Sequence, residues 1–154
     1  MKNFEIKKIE NSEQKSLVCG NIIKALPQWF GIAEENDKYV SGVQNYTVFV
    51  CNDGGSSIGL IALKPHLKGS VEIWWMGVHP DYHRKNIGYS LFQSACEYAR
   101  LQSKKYMIVN TISERSVDEY YARTREFYLK IGFVPLFEEK EDEKNPMMWM
   151  LLSL

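Results

Sequence analysis

Between Tyr46 and Pro65 the chain reads YTVFVCNDGGSSIGLIALKP, two β-branched, apolar runs on either side of NDGG. Glycine, asparagine and aspartate tolerate the positive φ that a tight turn requires, so the two runs are expected to pair as an antiparallel hairpin. Around this hairpin the other elements fall into place. Phe4, Ile6 and Ile9 in NFEIKKIE suggest a first strand. Ser12 with Glu13 then opens a helical spacing of Leu17, Ile22, Ile23 and Leu26, which Pro27 closes. LPQWFGIAEENDKYVSGV reads as a loop carrying a second, acidic helical piece.

VEIWWMGV is apolar on both alternating faces except at Glu72, as expected of a central strand covered by helices. Ile87, Leu91, Ala95, Tyr98 and Leu101 recur every three or four residues and predict an amphipathic helix from Ile87 to Leu101 with Gly88 in its first turn. YMIVNT is a further strand. VDEYYARTREFYLKI is a long helix ending at Gly132, a residue suited to a left-handed cap, and GFVPLF and PMMWMLLSL supply the last two strands. FEEKEDEKNP is read as a solvated loop between those strands, the other reading being a charge run that attracts a cationic substrate. The order β-α-α-β-β-β-α-β-α-β-β is that of an α+β fold, not of repeated βαβ units.

At 154 residues the chain is expected to form a single domain, 1–154, and a domain of this size buries roughly 70% of the surface its unfolded chain exposes. Its 19 basic and 19 acidic side chains cancel, which argues against a general nucleic-acid binder or an anionic-membrane binder. Any anion site must be local. Cys19, Cys51 and Cys96 are widely spaced with no C-x-x-C pair, so neither zinc nor a disulfide framework is supported and a reducing cytoplasm is the expectation. MKNFEIKKIE has no apolar h-region, and the runs IWWMGV and MMWMLL are far short of a membrane span.

The local anion site has one strong candidate, VHPDYHRKNIGYSL from Val78 to Leu91. The first N–H groups of a helix lack intrahelical partners and, with the helix dipole, attract anions. Gly88 permits close backbone approach, Asn86 visits the left-handed region readily, and Arg84 and Lys85 add charge. A basic, solvated connection is the competing reading. The stretch is neither a P-loop nor a dinucleotide fingerprint.

VHPDYHRKNIG resembles the pattern V-x-P-x-(Y/H)-(Q/R)-x-x-G-x-(G/A) of the GNAT superfamily of N-acetyltransferases, with Val78, Pro80 and Gly88 in place. His83 stands where Gln or Arg is usual, and Asn86 replaces the first glycine. EFYLKIGFVPL reproduces a second family feature, F-Y-x-x-x-G-F, through Phe127, Tyr128, Gly132 and Phe133, while Tyr121 stands where many members have Asn. LPQWFG, TREFY and NPMMWM further look like a branch of small, single-domain bacterial members. The resemblance implies the GNAT fold, a mixed and mostly antiparallel sheet of about seven strands with helices on both faces. It also implies acetyl-CoA as co-substrate, no metal, and acetyl transfer to a primary amine of a small molecule or peptide by direct attack in a ternary complex.

By the same resemblance the pyrophosphate sits on backbone N–H groups of His83, Arg84, Lys85, Asn86, Ile87 and Gly88 with side-chain help from Arg84, Tyr89 is counted with the cofactor-binding residues, and the pantetheine runs along Met76 and Val78. An N–H at or beside Met76 polarises the thioester carbonyl. Tyr128 matches the family's usual acid and contacts the cofactor, its competing reading being a helix tyrosine packed on the sheet. Glu72, the lone carboxylate on the fourth strand, is the candidate base, or else lies at a solvated strand end paired with a lysine. Trp29 and Phe30 fall where the family builds its acceptor site, or form a satellite core. Trp74 and Trp75 point to opposite faces, one into the core and the other, taken as Trp74, towards the acceptor.

Pro80 between His79 and His83 argues against a helix presenting both to a metal, and Cys96 reads as a core residue. A rival to the enzyme is a non-catalytic acyl-CoA-binding or sensing module on the same fold, suggested by Asn86 and Tyr121. A third reading is a structural or partner-binding domain. A homodimer is compatible with the exposed aromatics.

Overall fold

In the computed structural model, residues 4–139 and 146–154 are described. The charged run read as a loop falls mostly on 140–145, outside the described residues. The elements are β1 (Phe4–Ile9), α1 (Ser12–Lys24), α2 (Ala33–Gly42), β2 (Thr47–Asp53), β3 (Ser56–Pro65), β4 (Ser70–Val78), α3 (Ile87–Leu101), β5 (Tyr106–Ile112), α4 (Glu119–Lys130), β6 (Val134–Glu139) and β7 (Met147–Ser153), with two 3-10 turns at Val43–Asn45 and Pro80–Tyr82. The strands form one sheet in the order β1-β2-β3-β4-β5-β7-β6. β4 and β5 pair in parallel, and β1/β2, β2/β3, β5/β7 and β6/β7 pair antiparallel. The chain forms two compact units, one running to Lys64 and including Trp74–Tyr98, the other comprising Pro65–Ile73 and the residues from Ala99 onward.

In the first unit the hairpin forms where NDGG places it. Asp53 pairs with Ser56 across Gly54 and Gly55, with Gly54 at φ 60°. α1 starts at Ser12, as its sequence suggests, with Asn11 capping it by accepting from the Gln14 amide at 2.8 Å. Its buried face carries Val18, Cys19, Ile22 and Ile23, packed with Val48 and Val50 of β2, Leu60 of β3 and Trp75 of β4. Leu17 and Leu101, counted into apolar stripes by spacing, are exposed at 64% and 76%. Both sit just off the stripe that the sheet covers.

Two glycines set how helices seat on this unit. A Cβ at Gly77 would stand 2.5 Å from the Trp75 ring and 3.2 Å from Ile22 of α1. A Cβ at Gly59 would stand 2.9 Å from Leu91 and 3.3 Å from Ile87 of α3, and 3.5 Å from Val78. Gly77 and Val78 are consecutive in β4 and so face opposite ways, which puts α1 on one face of the sheet and α3 on the other.

In the second unit Asp118 caps α4, its carboxylate accepting from the amides of Tyr120 and Tyr121 at 2.8 and 3.3 Å. Arg125 donates to the carbonyls of Ile112 and Ser113 at 2.7 and 3.1 Å, tying α4 to the end of β5. Gly132, at φ 111°, turns the chain so that the Phe133 amide reaches the Tyr128 carbonyl at 3.0 Å. Phe133 is then buried with Met107 and Met150.

The three cysteines are buried and form no disulfide among the described residues, and burial pushes the Cys19 thiol up to about 12. Gly77→Ala is expected to lower unfolding free energy by about 1–3 kcal/mol through overpacking against a buried indole. Urea denaturation measures it, and an unchanged midpoint would show that Trp75 has room to shift.

Candidate active site

α3 follows β4 through eight residues, and their backbone is unusual. Arg84 and Asn86 lie at φ 63° and 61°, in the left-handed region, with Lys85 between them outside it. Each such non-glycine residue costs about 1–2 kcal/mol, and alternating hands along a chain turn successive N–H groups to one side as an anion-binding nest. Asn86 was legible in this role; Arg84 was not. Ser90 donates to Asn86 O at 3.0 Å, whereas the amides from Arg84 to Tyr89 find no acceptor among the described residues. The nest thus continues into the open first turn of α3, with Arg84, Lys85 and Asn86 exposed around it and Ile87 buried beneath.

His83 does not spend its side chain on this nest. Its Nε2 donates to the Val78 carbonyl at 2.7 Å, and its ring meets Trp29 edge-on at 5.8 Å. Tyr82 pins the loop from the other side by donating to Asp53 at 2.7 Å, a contact to which no sequence signal pointed. That carboxylate in turn holds the Tyr82 phenol above its ordinary range. Lys85 lies 5.2 Å from the centre of the Tyr82 ring. His79 donates its amide to Ile58 of β3 at 2.8 Å, so by the alternation of an extended strand Val78 and Met76 turn their backbone groups away from β3. The β4–β5 ladder consists of Ser70–Ile73 with Tyr106–Val109, and β4 runs on to Val78.

The aromatic residues of the same unit form a connected chain. Trp75 meets Phe30 at 5.3 Å, Phe30 meets Tyr39 at 5.9 Å, and Trp74 meets Tyr39 and Tyr46 at 5.7 and 4.7 Å. Trp75 is buried and Trp74 half-buried. Trp29, Phe30 and Trp74 all pack against the α1 core, so their rings are anchored on one side whatever they meet on the other.

In the second unit Tyr128 is 6% exposed, flanked by Phe127 and Phe133 at 5.5 and 5.4 Å. Burial, and to a smaller degree the neighbouring Tyr121, push its phenol well above the ordinary tyrosine range. Tyr121 is seven residues earlier and so on the same helix face. Among the described residues Glu72 pairs with a histidine and not with a lysine. Its Oε1 lies 2.6 Å from His66 Nε2, the two side chains being 12% and 33% exposed. No sequence signal joined them, since His66 belongs to the turn after β3.

A family model described as an acetyltransferase (GNAT) domain matches residues 44–135. The chain belongs to the GNAT acetyltransferase family. The matched region carries the nest, β4 and Tyr128. A GNAT-family protein from Desulfovibrio desulfuricans superposes with TM-score 0.84 at 17% identity over 98% of this chain and 99% of its own. A GNAT acetyltransferase from Elizabethkingia anophelis with acetyl-CoA bound gives 0.74 at 16% over 99% of both chains. The ribosomal-protein-S18-alanine N-acetyltransferase of Escherichia coli gives 0.77 at 14% over 98% of this chain and 94% of its own. These show that the GNAT fold extends over the whole chain; among curated proteins none matches in sequence. Among the described residues no helix is long and apolar enough to cross a membrane.

The left-handed residue at 86 gives a direct test. Asn86→Val is expected to cost about 1–2 kcal/mol of stability and Asn86→Gly to stay within about 0.5 kcal/mol, because only the β-branched side chain resists positive φ. Equal denaturation midpoints for both variants would show that the loop does not hold this conformation.

Proposed function

We propose that the chain acts as one N-acetyltransferase domain, moving an acetyl group from acetyl-CoA to a primary amine of a small molecule or peptide by direct attack in a ternary complex. The observation that carries this is the row of unpartnered amides from Arg84 to Tyr89 at the N-terminus of α3. Several N–H donors turned one way beside two cationic side chains suit a diphosphate, and the donors cost no reorganisation because the loop already holds them. Acetyl-CoA brings such a diphosphate together with an activated acyl group.

The remaining roles follow from chemistry. Met76 and Val78 offer backbone groups for an extended pantetheine arm; His83 already occupies the Val78 carbonyl, which leaves that residue's N–H. The Met76 N–H polarises the thioester carbonyl as charge develops on its oxygen. Tyr128 keeps its proton throughout the neutral range and gives it up only as negative charge builds on sulfur. Glu72 belongs to the group that takes the proton from the incoming ammonium. Trp29, Phe30 and Trp74 supply aromatic walls for the acceptor, favouring an apolar or cationic amine.

Release of free CoA measured across a panel of amines, aminoglycosides and peptide N-termini tests the activity; no release with any of them contradicts it. Tyr128→Phe is expected to lower kcat about a hundredfold, far more than it weakens CoA binding measured by calorimetry, and equal turnover would remove Tyr128 from the reaction. Gly88→Val should weaken CoA binding about tenfold or more, that is by about 1.4 kcal/mol, since its side chain stands where the anion approaches.

A further inference from the structure

We propose that His66 is the group that accepts the proton from the acceptor amine, with Glu72 as the residue that positions it. The inference rests on the acetyl-transfer reading and goes beyond it by naming the base. The observation is the 2.6 Å contact between His66 Nε2 and Glu72 Oε1 in the second unit. An ionised carboxylate only accepts hydrogen bonds, so Nε2 carries the hydrogen whether the ring is neutral or charged. That leaves Nδ1 as the position where a proton is gained or lost. No hydrogen bond is recorded at Nδ1 among the described residues.

Exposure divides the two roles. Glu72 keeps 12% of its side chain accessible and His66 33%, so the imidazole is the member that a solute meets first. The carboxylate behind it fixes the tautomer and steadies the imidazolium once it forms, the arrangement that makes a carboxylate–histidine pair a better base than either group alone.

Both side chains stand on rigid backbone. Glu72 lies between buried Val71 and Ile73, and all three are in the four-pair ladder with β5. His66 follows Pro65, and the turn is closed by the His66 amide on Ser70 O at 3.2 Å and the Ser70 amide on Leu67 O at 2.9 Å. A pair held from both strands meets the positional demand of proton transfer without a search.

The proton balance is complete. His66 Nδ1 takes one proton from the ammonium, freeing the nitrogen lone pair to form the C–N bond. As the C–S bond breaks, the sulfur takes the Tyr128 proton, and the second nitrogen proton returns to the phenolate. His66 passes its proton to water, so the turnover yields the amide, CoA thiol and one H⁺.

The test compares two acceptor classes at one neutral pH. An alkylamine resembles a lysine side chain, with a pKa near 10.4, and arrives as the ammonium; an arylamine arrives neutral and needs no base before attack. His66→Ala and, separately, Glu72→Gln should lower kcat with the alkylamine about a hundredfold and leave the arylamine rate within about threefold. Added imidazole should restore the alkylamine rate of His66→Ala. Equal losses with both classes and no rescue would make the pair structural, and full activity of both variants would remove it from the reaction; either result overturns the inference while the acetyl-transfer reading stands. A parent protein that releases no CoA with either class refutes that reading itself, and the inference with it.

Discussion

The open amides between β4 and α3 depend on two residues, Arg84 and Asn86, held in a backbone region that L-residues avoid. Such strain persists only where the surroundings over-determine it. Here they do so from three directions. Tyr82 is bonded to the end of the β2–β3 hairpin through Asp53, His83 is bonded back to Val78, and Ile87 is buried under Gly59 as α3 begins. Tyr82 and His83 spend their side chains away from the loop's own amides, and those amides from Arg84 to Tyr89 find no acceptor among the described residues.

The same economy governs the scaffold. β4 is the fourth of seven strands and is covered on both faces in the first unit, which is why it reads as nearly continuous apolar sequence. Glycines at 59 and 77 let α3 and α1 approach it from opposite sides. Glu72 is a half-buried carboxyl in such a strand, and its hydrogen bond to His66 gives it the polar partner that such a position requires. Tyr128 is a different case, a phenol that its apolar surroundings hold in the neutral form.

The elements were legible because their signals are local. NDGG between β-branched runs, the apolar period of α3 and the glycine after α4 each depend on neighbours in sequence, and each forms where expected. Asn86 was readable for the same reason, as a residue type with a known backbone preference. What escaped were features set by tertiary contact. Arg84 has no intrinsic liking for positive φ and adopts it because the flanking Tyr82 and His83 are pinned. Asp118 hides its cap behind Val117, and Leu17 and Leu101 fit a helical stripe by count but not by angle. The partner of Glu72 lay beyond a turn, where sequence offers no reason to prefer a histidine to a lysine.

The account stands or falls on the amides of residues 84–89. Backbone ¹⁵N–¹H resonances followed during titration with CoA test it most directly. The account predicts that Arg84, Lys85, Asn86, Ile87, Gly88 and Tyr89 show the largest shifts, and that pyrophosphate alone moves the same set in the same direction. Binding of CoA that left these six resonances in place while others moved would contradict it.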